Sequence, residues 1–257
     1  MKAIWFDIGG TIHTQKASPE NDIRYTEMLM KLLSDNGIDH GMSSEELLDQ
    51  INRGAKAYKK YVEGKLIELP GEVIWTDFFL SNVEKDREKI KEISEELSYL
   101  FDRHRKVITR REGLRETLEA LKQMGYRIGV ISNIMSRTFV PRILEEYGIR
   151  EYFEELVLSS ECGIRKPDPA IFDIALEKMG LTKEDCCYVG DTVSRDIIGT
   201  RKAGWKMMIQ IDNPLTYKKD EHLLNEGWAP DYRIFQLEEI LPILKNKKEE
   251  NGGKRDE

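Results

Sequence analysis

Two rhythms of apolar and polar positions divide this chain. Near its start and through its second half, short apolar runs alternate with amphipathic stretches: Ala3-Ile4-Trp5-Phe6, then 127–131, Leu156-Val157-Leu158, 186–189, 206–211 and Tyr232-Arg233-Ile234. Runs of that length separated by helical stretches predict parallel strands joined by helical crossovers. Between them, over 18–105, the period is helical and no convincing strand is found. The helical stretches there are 22–35 ending at Gly37, 44–62, a Trp75-Phe78-Phe79 cluster, and 86–103. In 44–62, Leu47, Leu48, Ile51, Ala55, Tyr58 and Val62 share one face, and Ser44 is placed to cap the start.

The later helices carry their own punctuation. Leu114, Leu118, Leu121 and Met124 recur at helical spacing within 112–124, and Gly125 stops them. Asp168 with Pro169 opens a helix that Gly180 closes, and Thr182 with Asp185 predicts a turn before the next strand. The whole predicts an α/β fold: a doubly wound, Rossmann-like parallel-sheet core with an inserted all-helical cap domain. The core takes 1–17 and 106–244 and the cap takes 18–105. A charged tail, 245–257, carries Gly252-Gly253 and is expected to be disordered.

Composition narrows the partners. A net charge of -7 over 257 residues argues against a general nucleic-acid binder, which needs a basic face, so any anionic substrate must be held by local groups. Cys162, Cys186 and Cys187 form no paired-spacing zinc motif, and the adjacent pair falls in an apolar segment. They read as reduced core thiols of a cytoplasmic protein. The opening residues reach Asp7 before a signal-peptide core forms, and no apolar stretch approaches membrane-spanning length. Nothing in the pattern sets the oligomeric state.

The candidate chemistry sits at predicted strand tips. Asp7 ends the first run and is followed by Ile8-Gly9-Gly10-Thr11; Ser132 follows Val130-Ile131; Asp191 follows Tyr188-Val189-Gly190, with Asp196 on the next turn. Open parallel sheets place ligands at that edge. Each residue alone has a plainer role: Asp7 or Asp191 as a helix cap, Ser132-Asn133 as a helix start, Lys166 as an exposed loop residue. Together they ask for more. Three aspartates repel unless a cation joins them, and an all-oxygen donor set suits Mg²⁺. Lys166, restrained in Arg165-Lys166-Pro167-Asp168-Pro169, suits phosphate, as do Ser132 and Asn133 at a helix start.

These four ordered motifs resemble the haloacid dehalogenase-like hydrolase superfamily, in the subgroup whose helical cap follows the first motif. The resemblance runs over 2–244 and is strongest over 149–204. It implies an Mg²⁺-dependent phosphatase of a small phosphorylated metabolite, in which Asp7 attacks phosphorus to form an aspartyl-phosphate. Ser132 and Lys166 would hold the transferring group and Asp191 would bind the metal. The Gly9 carbonyl would reach the metal too, and Asp196 would be a ligand or sit just behind one.

One position departs from the family. Its phosphatases usually carry a second aspartate two residues after the nucleophile, to protonate the leaving alcohol and activate water; here it is Gly9. A positioned acid-base group is worth about 10²- to 10⁴-fold, roughly 3 to 5 kcal/mol. Three explanations stand: a substitute such as His13, a substrate with a good leaving group, or a phosphate- and Mg²⁺-binding regulatory protein with little turnover. Relatives that cleave carbon–phosphorus bonds carry a small residue there and recruit a cap lysine. Lys56, Lys59 and Lys60 are present, but the helical wheel sets Arg53, Lys56 and Lys60 opposite the apolar stripe. Metal-free dehalogenases fit less well, because Gly190-Asp191 has the metal-binding form. Tyr58, Tyr61, Trp75 and Phe78 are aromatic enough to contact a ligand, but aromatics at helical spacing are more often core.

Overall fold

The computed structural model describes residues 1–252. Eight strands occur among them: β1 (Ala3–Phe6), β2 (His13–Lys16), β3 (Val107–Arg110), β4 (Arg127–Ser132), β5 (Glu155–Leu158), β6 (Cys186–Gly190), β7 (Met207–Ile211) and β8 (Tyr232–Ile234). Six form one sheet in the order β5-β4-β1-β6-β7-β8, every neighbouring pair parallel. Strand order reverses beside β1, which is the doubly wound topology, and the crevice at such a reversal is where these sheets bind ligands.

Both faces of the sheet are covered, which is why its strands read as unbroken apolar runs. Ile4 and Phe6 pack with Ile128, Val130, Val189 and Ile209 on one side. Ala3 and Trp5 pack with Phe172, Tyr188 and Met208 on the other. The period of two along β1 thus feeds two separate cores.

Between Pro19 and His104 every regular element is a helix, as the periodicity predicts, with a third buried cluster built on Tyr25, Leu29, Ile51, Tyr58, Trp75, Phe79 and Leu97. Details differ from the sequence reading. The first helix, Pro19–Asp35, begins one turn early because Ser18 caps it with Pro19 in the first turn. The next, Ser44–Lys65, is capped by Ser43 rather than Ser44, since only Ser43 completes a reciprocal capping box with Glu46. The stretch 86–103 breaks at Ile93 into Arg87–Glu92 and Ser94–His104. Asp168, Pro169 and Gly180 bound Pro169–Met179 as expected.

Two features were not legible. β2 and β3 pair antiparallel, joining His13 to Arg110 and Lys16 to Val107 where the chain enters and leaves the helical region. Their residues are mostly polar and exposed, so they carry no apolar alternation. The last helix, Ile240–Gly252, continues through the start of the expected disordered tail, anchored by buried Ile240 and Leu244; residues 253–257 lie outside the described residues. No helix among the described residues is long and apolar enough to cross a membrane.

Candidate active site

Three strand tips converge. The Asp7 backbone N–H donates to the Val189 carbonyl at 2.9 Å, which ties the end of β1 to β6. Lys166, 3% exposed, reaches in from the loop after β5 and donates to Asp7 Oδ1 at 2.8 Å, Asp196 Oδ1 at 2.7 Å and the Tyr188 hydroxyl at 2.6 Å. Tyr188 in turn donates to the Ile131 carbonyl at 2.9 Å. Asn133 grips the lysine's backbone from both sides: its Nδ2 donates to the Lys166 carbonyl at 2.9 Å and its Oδ1 accepts from the Lys166 N–H at 2.8 Å. The Asn133 side chain therefore positions Lys166, and only its backbone is left to face a phosphate. Ser132, also buried, lines the same space.

The acidic side is packed tightly enough to require glycine. A Cβ at Gly10, whose φ is +91°, would lie 2.2 Å from Asp191 Oδ2, and one at Gly190 would lie 2.5 Å from Asp196 Cγ. Asp196 is fully committed: Oδ1 takes Lys166, and Oδ2 accepts from the Thr192 N–H at 2.9 Å and hydroxyl at 2.6 Å. Asp191 is not, since Oδ2 accepts from Asn213 at 2.7 Å while Oδ1 is buried without a hydrogen-bond partner. Asp7, Asp191 and Asp196 each offer an oxygen within 4.8 Å of the others.

Their titration reflects crowding. Burial pushes the Asp7 carboxyl up, against the pull of Lys166, and burial with Asp196 and Asp7 raises Asp191 to about 7. Asp196 is held below its ordinary value, because Lys166, Arg195 and its hydrogen bonds together outweigh desolvation. A buried, oxygen-only trio that cannot ionise fully by itself, with one carboxylate oxygen unpartnered, fits a hard divalent cation.

Above the trio lies a cavity of about 290 Å³, near the lower end of the range for small-molecule sites. Besides Asp7, Gly9, Ser132, Lys166 and Asp191, its wall includes Asp102, Arg105, Lys106 and Arg195, none of which sequence reasoning singled out. Arg195 directly precedes Asp196, the one signal that could have found it. The helical region is fastened to the rim. Glu68 accepts from Ser159 Oγ at 2.6 Å and from Tyr58 and Arg165, and its N–H donates to the Gly163 carbonyl at 2.8 Å, two residues from Arg165-Lys166. Asp102 accepts from the Met135 and Ser136 N–H groups at 3.2 and 2.8 Å, just past Ser132-Asn133. Burial raises the Asp102 carboxyl to about 8 despite those donors.

Other candidates are placed elsewhere. His13 is fully buried against Phe139 and Tyr147, outside the cavity wall, and burial with Arg103 lowers it to about 4. It is neither the exposed linker residue nor the titrating substitute acid that its sequence position allows. Lys56, Lys59 and Lys60 are all exposed. Tyr58 is bonded to Glu68, Trp75 Nε1 donates to Ser98 Oγ at 2.9 Å, and Tyr61 and Phe78 pack on one another; none of these aromatics lines the cavity. Cys186 and Cys187 are free, buried thiols, as expected.

Residues 1–204 match the model of a family described as haloacid dehalogenase-like hydrolase. The glyceraldehyde 3-phosphate phosphatase of Methanopyrus kandleri is 24% identical over 245 residues, 95% of this chain and 97% of that protein. The glyceraldehyde 3-phosphate phosphatase of Methanothermobacter thermautotrophicus is 36% identical over 127 residues, about half of each chain at 49% and 55%. Among solved structures, a 2-haloacid dehalogenase from Pseudomonas syringae superposes with a TM-score of 0.64 at 22% identity, covering 96% of this chain and 99% of that one. At that identity the likeness concerns the fold alone.

Proposed function

This chain belongs to the haloacid dehalogenase-like hydrolase family, and from that premise we propose that it is a phosphatase transferring the phosphoryl group of a small phosphate ester to Asp7. The observation that carries the reading is Lys166 Nζ at 2.8 Å from Asp7 and 2.7 Å from Asp196, with the unpartnered Asp191 oxygen beside them. The names of these two relatives support a small phosphorylated substrate.

Asp7 attacks phosphorus as the ester P–O bond breaks, and water then displaces Asp7 to release phosphate. Lys166 orients the Asp7 carboxylate and sits where charge spreads over the transferring oxygens. The Ser132 hydroxyl and neighbouring backbone N–H groups hold those oxygens, work that phosphoryl transfer needs more than new covalent chemistry. Asp7, the Gly9 carbonyl and Asp191 would hold Mg²⁺, with Asp196 behind them because both its oxygens are engaged. Bound there, the ion would neutralise the carboxylates and polarise the phosphoryl oxygens. Residues 18–105 act as a cap: Asp102 and Arg105 wall the cavity and limit bulk water. Gly9 offers no acid for the leaving group, so alkyl phosphates should turn over slowly. The free buried thiols suit a reducing, cytoplasmic setting.

The test is phosphate release from an aryl phosphate, with acid-quenched mass spectrometry for a phosphoryl group on Asp7. Release should require Mg²⁺ and vanish in Asp7→Asn. Inert wild-type protein that still binds phosphate and Mg²⁺ would leave a binding protein instead.

A further inference from the structure

We propose that Glu68 is a positioning residue for Lys166, and that the helical region stays fastened to the core through turnover because the loop carrying Lys166 depends on it. The inference rests on the phosphatase reading and deepens it, giving a kinetic consequence to a contact made outside the cavity.

The contact begins in the backbone. The helix Ser44–Lys65 ends at Leu66, and residues 66–68 then pair antiparallel with 163–165. The Glu68 N–H donates to the Gly163 carbonyl at 2.8 Å, and the Arg165 N–H to the Leu66 carbonyl at 3.0 Å. Ile67 and Ile164, set between those bonds, are a non-hydrogen-bonded pair. Side chains close the same junction. Glu68, 5% exposed, accepts from Ser159 Oγ at 2.6 Å, from the Arg165 guanidinium and from the Tyr58 hydroxyl, which itself accepts from the Leu69 N–H at 3.3 Å. None of 66–68 or 163–165 is on the wall of the Asp7 cavity.

What the junction holds is the residue before Lys166. Asn133 grips the Lys166 backbone from the core, whereas Arg165 spends both its backbone N–H and its guanidinium on the helical region. The ammonium that donates to Asp7 at 2.8 Å and Asp196 at 2.7 Å therefore hangs from backbone fixed on two sides by different parts of the chain. A buried carboxylate–guanidinium pair is a poor source of stability beside apolar packing, and is better suited to fixing one arrangement. Apolar packing was at hand, since Tyr58 and Leu69 belong to the helical region's own cluster. One arrangement is what Lys166 needs, because a misplacement of about 1 Å in a site can cost on the order of 10²-fold in rate. Lifting the helical region off the core would break both backbone bonds and part Glu68 from Arg165 and Ser159. Entry of a small ester does not require that, because the cavity wall already includes exposed Lys106 and Leu215.

The experiment pairs a substitution with a removable cross-link. Glu68→Gln, assayed on an aryl phosphate with Mg²⁺ at a temperature where circular dichroism shows it folded, should lower kcat and kcat/KM together by about tenfold. Ile67→Cys/Ile164→Cys, with Cys162→Ser to remove the neighbouring thiol, places a disulfide across the bridge, where a non-hydrogen-bonded pair sits about 4.5 Å apart at Cα, within disulfide range. Oxidised, this parent should turn over as fast as when reduced. Adding Glu68→Gln to it should give a protein that is slow when reduced and restored when oxidised, which a loss of stability alone would not produce in folded protein. Turnover lost on oxidation of the parent, an undiminished kcat in folded Glu68→Gln, or a deficit that oxidation does not relieve each overturns the proposal and leaves the phosphatase reading intact. Should Glu68→Gln not fold, the parent decides by its oxidised against reduced kcat. If the wild-type protein hydrolyses no ester, the phosphatase reading fails, and amide hydrogen exchange decides the positioning. Faster exchange in Glu68→Gln confined to 66–68 and 163–166 supports it, and exchange that is unchanged or faster throughout the chain overturns it.

Discussion

Gly9→Asp is the substitution with the most to say about this protein. Gly9 does not have the positive φ of its neighbour Gly10, so its backbone accepts a side chain. A Cβ there would meet Gln15 Nε2 at 3.3 Å and Cδ at 3.7 Å, the far end of a flexible side chain that can swing aside. The new carboxylate would enter the cavity wall beside the Gln15 amide, with Lys106 hydrogen-bonded to that same amide's oxygen. If Gly9 marks a missing acid-base group, restoring a carboxylate should raise turnover by about 10²- to 10⁴-fold, or roughly 3 to 5 kcal/mol of barrier. Imperfect placement makes the lower end the fair expectation. The gain should be largest for alkyl phosphates, whose leaving alkoxide needs a proton, and smaller for aryl phosphates, which leave unaided. The assay is kcat on both classes for wild type, Gly9→Asp and the steric control Gly9→Ala, with Mg²⁺ binding measured alongside. A folded, Mg²⁺-binding Gly9→Asp protein no faster than Gly9→Ala on alkyl phosphates would refute the reasoning.

Four further outcomes are expected. Lys166→Met leaves Asp7 and Asp196 buried without their shared cation, so chemical denaturation of metal-free protein should show a loss of about 3 to 5 kcal/mol, and activity should vanish. Glu68→Ala removes the buried acceptor shared by Tyr58, Ser159 and the largely buried Arg165; about 3 kcal/mol should be lost by the same measurement. Asp191→Asn should weaken Mg²⁺ binding by calorimetry far more than Asp196→Asn, because only Asp191 has an unengaged oxygen. His13 is held near 4 when folded, against 6.5 for the ordinary group, so between those values the unfolded chain binds a proton that the folded one refuses. Stability therefore falls as pH drops from 6.5 to 4. The contribution is about 3 kcal/mol, seen as a steeper loss in wild type than in His13→Asn, and equal slopes would remove it.

Much of the architecture was legible because it rests on local rules. The unbroken apolar runs at β1, β4 and β6 mark strands covered on both faces, and Asp168-Pro169 with Gly180 marks helix ends whatever surrounds them. β2 and β3 escaped notice because Thr14, Gln15 and Lys16 show no apolar alternation; pairing with the returning chain makes them a ribbon. Asn133 was readable as a polar residue at a strand tip, but its grip on Lys166 exists only once the fold brings together two loops 33 positions apart. His13 shows the same limit in reverse, since a polar residue in a linker gives no sign that Phe139 and Tyr147 will enclose it.

By itself the sequence determined which residues are strand tips, which stretch is helical, and that Asp7, Ser132, Lys166 and Asp191 belong to one ordered set. Periodicity, capping and motif order are properties of neighbouring residues, and survive any arrangement in space. Tertiary structure alone decided which oxygens are spent and which are spare, that both Asp196 oxygens are engaged while one Asp191 oxygen is not, and that Lys106 and Arg195 wall the Asp7 cavity. Those facts depend on distances between residues far apart in the chain and on how much water is excluded between them, and neither is written in any local pattern.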